Sequence, residues 1–212
     1  MGFYGTYVLP RLVELAMKNK AADQERARFV PRASGVVLEI GVGSGLNIPV
    51  YGAAVRKLYA LDPSPELLRM ARPRAKRAGF PVEFLERSAE AIPLADESVD
   101  TAVTTWTLCS IPDAARALRE MRRVLRRDGR LIFIEHGRSV DPRVVRWQDR
   151  LTPWWRRISG GCHLNRPIDR LLEQGGFLVA EMERGYGTGP RTMSYLYRGI
   201  ARPAGHAPGD SR

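Results

Sequence analysis

Two groups of residues in the 212-residue chain have types and spacings that can do chemistry. The first is Glu39-x-Gly41-x-Gly43-x-Gly45 in "VVLEIGVGSGLN", followed twenty-one residues after Gly41 by Asp62. Such glycines let the backbone pass close to a ligand and let helix N–H groups face it. A carboxylate at the end of the next strand can accept hydrogen bonds from both ribose hydroxyls of a nucleoside. The second group is "ISGGCHLNRP", residues 158 to 167, where Cys162 stands beside His163. It raises three readings: a metal site, a nucleophile with its base, or a lid. Zinc takes about four ligands, usually in spaced pairs, and no second pair lies nearby, so no metal is expected. Adjacent side chains of an extended segment point to opposite sides, which argues against a nucleophile–base pair. A lid remains, with Gly160 and Gly161 making the bend, Asn165 capping a helix from Pro167, and His163 facing the pocket beneath.

These residues need a frame. Short β-rich runs at 36–40, 57–62, 82–87, 99–105 and 130–135 alternate with helical or loop-plus-helix stretches, the pattern of a parallel sheet with helices on both faces. Pro65 opens a helix that Gly79 closes, with a break expected at Pro73. Residues 138–166 are too long for an ordinary connection and are expected to form a lid insertion. A helix from Pro167, a strand from Phe177 and a last strand near 192–202 follow. In "YVLPRLVELAMK", Val8, Leu12, Leu15 and Ala16 share a helical face that is expected to pack on something, while Phe3, Tyr4 and Tyr7 could cover a cleft or touch a membrane. We therefore expect one domain over 1–202, capped by residues 1–30, and a disordered tail at 203–212.

With 44% hydrophobic and 27% charged residues, the composition is that of a soluble globular protein. No apolar run approaches the roughly 20 residues of a membrane span, and the start lacks signal-peptide features, so a cytoplasmic location is expected. Two cysteines, Cys109 and Cys162, are too few for a disulfide framework. The net charge of +11 raises a polyanionic partner. Much of it is arginine around the apolar stripe Ala114, Leu118, Met121 and Leu125, which reads as a solvated face, and no nucleic-acid module accompanies it.

A dinucleotide fingerprint would need glycine or alanine at position 46, where this chain has Leu46. The pattern E-x-G-x-G-x-G instead resembles that of class I S-adenosylmethionine-dependent methyltransferases. Asp62, "RSAEAIPLADESVD" and "LREMRRVLRRDGRLIFIEH" follow in the order of their ubiquinone/menaquinone-methyltransferase-like branch. "WTLCSI", "IEHGRS", "WQDRLTPWW", "GGCHLNR" and "FYGTYVLPRLVELA" extend the likeness over nearly the whole chain, toward the thiol S-methyltransferase-like group.

The resemblance implies a Rossmann-like fold, a seven-stranded mostly parallel sheet with its last strand antiparallel, and S-adenosylmethionine as methyl donor. It implies that Glu39, Gly41, Gly43, Gly45 and Asn47 cradle the aminocarboxypropyl part, Glu39 toward the ammonium group, and that Asp62 binds the ribose. Pro63, Ser64, Ser88, Ala89 and Glu90 would flank the adenine, and Thr105, Trp106 and Leu108 the methionine portion. Where many relatives carry aspartate, this chain has Ser88. The acceptor expected from the group is a small thiol such as hydrogen sulfide or methanethiol. A dry pocket favours thiolate attack on a sulfonium, because opposite charges neutralise in the transition state. Tyr4, Tyr7, Cys109, Trp147, Cys162 and Arg166 are candidates for its walls, with Trp154 and Trp155 adding dryness. His136 or His163 is the candidate base. C-methylation of a quinone precursor, N-methylation of a phospholipid head group and non-catalytic cofactor binding are alternatives. The mixture of aromatic and basic residues in "WWRR" also fits peripheral membrane contact.

Overall fold

The computed structural model describes residues 8–205. Its strands are β1 (Gly35–Ile40), β2 (Val55–Leu61), β3 (Val82–Leu85), β4 (Val99–Thr105), β5 (Leu125–His136), β6 (Phe177–Tyr186) and β7 (Tyr195–Pro203). They form one sheet in the order β3-β2-β1-β4-β5-β7-β6. Pairing is parallel from β3 to β5, and β7 enters antiparallel between β5 and β6. The α-helices are α1 (Leu9–Met17), α2 (Lys20–Phe29), α3 (Pro65–Ala75), α4 (Ala114–Val124), α5 (Pro142–Ile158) and α6 (Ile168–Gln174).

Neighbouring residues of the inner strands enter opposite cores. Leu38, Ala102 and Phe133 pack with Leu118 and Met121 of α4 on one side; Val37, Val103 and Ile132 pack with Phe29 and Leu68 on the other. A strand covered on both faces must be apolar at successive positions, which is why these runs do not alternate with polar residues. The chain leaves β1 toward β2 and β3, then crosses back to β4 on the other side of β1. That reversal opens a crevice at the carboxyl ends of β1 and β4, where doubly wound sheets bind ligands.

Several local expectations need correction. β5 begins at Leu125, so this residue belongs to a strand rather than to the α4 stripe. Pro73 lies inside α3, near its end, while Ser64 caps the helix start through Leu67 N–H. Most of the long segment after β5 is the helix α5, started by Asp141, whose side chain accepts from Arg143 N–H, and by Pro142. Asn165 does not cap α6; it donates to Asp149 instead. On α1 the face with Leu12, Leu15 and Ala16 is exposed, Leu15 at 73%. Phe3, Tyr4, Tyr7 and residues 206–212 of the expected tail lie outside the described residues.

These packing positions separate in stability. Phe133→Ala, a fully buried ring lost between sheet and helix, should cost about 3–5 kcal/mol in urea unfolding. Leu15→Ala, on the exposed face of α1, should stay within about 0.5 kcal/mol.

Candidate functional site

A cavity of about 370 Å³ opens at the carboxyl ends of the strands. Its floor is the glycine turn after β1. Gly43 has φ +55, and a Cβ there would meet only Gly41 O at 3.9 Å, so the backbone stands open to a ligand in the cavity. A Cβ on Gly45 would press on Ile48 at 2.9 Å and on Ala71 of α3 at 3.0 Å, so its role is helix packing, and it does not line the cavity. Asp62 locks the turn from the end of β2: Oδ2 accepts from Gly43 N–H at 3.0 Å and Oδ1 from Ser64 N–H at 2.9 Å. Each oxygen keeps a lone pair for a ribose hydroxyl. Burial raises the Asp62 pKa, and the two backbone donors work against that rise.

Glu39 is fully buried at the end of β1. Its oxygens accept from Asn47 Nδ2 at 2.8 Å and from Tyr51 Oη at 2.9 Å. Burial pushes its pKa up to about 7 despite these donors and the nearby Arg26. Arg26, from α2, is itself buried; its Nε donates to Asn47 Oδ1 and its guanidinium lies 5.1 Å from the Trp106 ring centroid. It brings a cation to a cavity whose other charged liners, among the described residues, are Glu14, Glu39 and Asp62. A zwitterionic aminocarboxypropyl chain bound here would find Arg26 for its carboxylate and Glu39 for its ammonium group. With the open cradle at Gly43 and the ribose acceptor Asp62, these residues fit S-adenosylmethionine.

The opposite wall follows β4. Trp106 holds φ 51, a left-handed conformation costly for a bulky residue, and its N–H donates to Ile134 O at 2.7 Å. Glu135, fully buried on β5, organises this turn by accepting from Thr104 Oγ1, Thr107 N–H and Leu108 N–H. Burial raises its pKa to about 7 as well, against those donors. α1 supplies the roof through Leu9, Pro10, Val13, Glu14 and Met17. Arg74 anchors it, bonding Glu14 at 2.9 Å and Ser44 O of the glycine turn at 2.7 Å.

Of the residues the resemblance assigns to the cofactor, Glu39, Gly41, Gly43, Asn47, Asp62, Pro63, Ser64, Ser88, Ala89, Thr105 and Trp106 line the cavity. Glu90 does not: its carboxylate binds Ser88 Oγ and Asp113 N–H, tying the turn after β3 to the start of α4. Leu108 is wholly buried behind the wall. The acceptor-pocket expectations need more correction. Trp147 is 57% exposed on the outer face of α5. Arg166 clamps the β4 loop through Leu108 O and Pro112 O. His163 stands outside the cavity, its ring Nδ1 3.1 Å from Cys109 O. Cys109, Cys162 and His136 do not line it either; they meet behind the wall, with His136 Nε2 3.1 Å from Cys162 Sγ. Cys109 and His136 hold the Cys162 thiol down to about 4 against its burial. Burial opposes a charged His136, but the Cys162 thiolate and Glu135 raise its pKa. Sequence reasoning missed Arg26 and Tyr51, whose partners Asn47 and Glu39 lie far along the chain; it read Glu135 as a residue that hydrogen-bonds a neighbouring loop and residues 1–30 as a helical cap, but placed the other apolar face of α1 inward.

Glu39 gives the site a pH dependence. A bound ammonium group favours the ionised carboxylate, so ligand binding should release a proton and weaken as pH falls below about 7. Calorimetry with S-adenosylmethionine should show weaker binding at pH 6 than at pH 8 in the wild type, and a flatter pH profile in Glu39→Gln.

The comparisons with known proteins agree with this geometry. Residues 38–133 match the model of a methyltransferase domain. The chain is 34% identical to human thiol S-methyltransferase TMT1A over 175 residues, 80% of this chain and 71% of that protein. It is 36% identical to human thiol S-methyltransferase TMT1B over 158 residues, 72% of this chain. It spans 62% and 64% of the rat and human TMT1B proteins. A bacterial phosphatidylethanolamine N-methyltransferase, from Cereibacter sphaeroides, is 35% identical over 120 residues, 56% of this chain and 59% of that protein. Among solved structures, a Burkholderia thailandensis 1,6-didemethyltoxoflavin-N1-methyltransferase with bound S-adenosylhomocysteine shares the fold. Its TM-score is 0.65 at 18% identity, covering 93% of this chain and 84% of that one. The chain belongs to the class I S-adenosylmethionine-dependent methyltransferases.

Proposed function

We propose that the chain methylates small thiols on sulfur. The observation that carries this reading is the apolar part of the cavity lining, to which Leu9, Pro10, Val13 and Met17 of α1 contribute together with Trp106, Ile111 and Pro112. The similarity to thiol S-methyltransferases along most of the chain supports it. S-adenosylmethionine, when bound, supplies an electrophilic methyl group on a sulfonium. Asp62, Glu39 and Arg26 would hold the donor, and the apolar side chains of α1 and of the β4 loop would limit water beside its methyl group. A dry wall of this kind leaves a small thiolate poorly hydrated and therefore reactive.

Neither His136 nor His163 stands in the cavity to take the proton. The acceptor then arrives as thiolate from its own ionisation, a few per cent of a thiol with a pKa of about 8.5 at neutral pH. Turnover at subsaturating thiol should rise about tenfold per pH unit below the acceptor's pKa, after the donor site is saturated, and His163→Ala should keep that slope. Incubation with S-adenosylmethionine and a panel of sulfide, methanethiol, a quinone precursor and a phospholipid should methylate the thiols. Methylation of another acceptor with none of any thiol contradicts the proposal.

A second reading, N-methylation of a phospholipid head group, is favoured by α5. Trp147 and Trp154, the latter 70% exposed, stand on its outer surface among Arg143, Arg146 and Arg150. That mixture suits an anionic bilayer surface, which would put the protein at the membrane periphery. On this reading the protein should co-sediment with anionic vesicles, lose that binding in Trp147→Ala/Trp154→Ala, and methylate their amines.

A further inference from the structure

Behind the β4 wall, three side chains that the methyl-transfer reading does not use converge from separate elements. Cys109 comes from the loop after β4, His136 from the end of β5, and Cys162 from the turn between α5 and α6. Their two sulfurs and the imidazole nitrogen all lie within 4.8 Å of one another. Cys109 is 3% and His136 9% exposed, and Cys162 is half-buried.

We propose that Cys109, His136 and Cys162 form a binding site for a borderline-soft divalent cation, zinc by ligand preference. Two thiolates and an imidazole are the donors zinc selects, whereas magnesium and calcium take oxygen. The carboxylate next to His136 in the chain, Glu135, is already spent on Thr104, Thr107 and Leu108, which leaves the donor set nitrogen and sulfur. The size also fits. Bonds of about 2.3 Å to sulfur and about 2.0 Å to nitrogen at tetrahedral angles put sulfurs about 3.8 Å apart and sulfur about 3.5 Å from nitrogen. The observed Nε2 to Sγ separation of 3.1 Å and the 4.8 Å limit on the set bracket those lengths, so side-chain shifts of about an ångström close the site.

Charge favours occupancy too. Two thiolates neutralise a divalent ion, so the bound cluster brings no net charge into the interior. Zinc takes cysteine as thiolate and histidine as neutral imidazole, so ligation would release the protons these groups carry. The ligands are 27 and 26 residues apart along the chain, so no paired-cysteine spacing announces them. A bound ion would pin the turn between α5 and α6 to the β4 loop, and both segments reach the cavity, through Gly160 and Ser110.

The test uses the full chain, chelator-treated and kept reduced by a phosphine, which does not supply a competing thiol. Titration with zinc alone should bind one ion per chain by elemental analysis. Cobalt in its place should give a sulfur-to-metal charge-transfer band. Cys162→Ser and Cys109→Ser should each weaken binding by about 100-fold or more, while His163→Ala leaves it unchanged. Absence of saturable binding in wild type whose two thiols are shown to be reduced overturns the proposal. So does a cobalt complex without the charge-transfer band, a result that needs no variant to fold, or affinity that survives both serine substitutions.

Discussion

A carboxylate buried at the end of a strand must be filled with donors, and three such groups shape the working end of this protein. Glu39, Asp62 and Glu135 sit at the carboxyl ends of β1, β2 and β5, nearly or wholly out of water. An unsatisfied charge there would cost several kcal/mol, so each loop folds to bring N–H or O–H groups to it. Asp62 thereby sets the glycine turn, Glu39 sets Asn47 and Tyr51, and Glu135 sets the turn through Trp106. The cavity is the space these three anchored loops enclose.

The roof depends on the same network. Arg26 reaches Asn47, the partner of Glu39, and also caps the end of α1 through Met17 O at 3.0 Å. Arg74 joins α1 to the glycine turn. A change at Glu39 would therefore propagate to the roof through Asn47 and Arg26, without direct contact with α1. The positive φ of Trp106 belongs to this economy: the turn that presents its ring to the cavity is held by Glu135 and by Ile134 O.

Sheet class, strand sequence and the glycine turn with Asp62 were legible because each rests on local pattern. Successive apolar residues such as Val37 and Leu38 mark strands covered on both faces, and the spacing from Gly41 to Asp62 spans one strand-to-strand unit. What local pattern does not contain is the identity of the partner. α1 carries apolar residues on two faces, and periodicity alone does not decide that Leu9, Val13 and Met17 turn inward rather than Leu12 and Leu15. Trp147 and Trp154 are aromatic in the manner of a pocket wall, yet Gln148, between Gly137, Leu164 and Thr192 carbonyls, fixes the opposite side of α5 inward. Cys162 meets His136 rather than its neighbour His163, a pairing across 26 residues that only the fold creates.

Among the carboxylates, Asp62 is the one whose two oxygens both position the cradle and keep lone pairs for a ribose. Calorimetric binding of S-adenosylhomocysteine to wild type and to Asp62→Ala therefore tests the central claim most directly. Losing the ribose acceptor and the Gly43 anchor together should weaken binding about 30–100-fold, from hydrogen bonds to a charged group worth about 2–3 kcal/mol. Equal affinity in the two proteins, with Asp62→Ala folded, would contradict it.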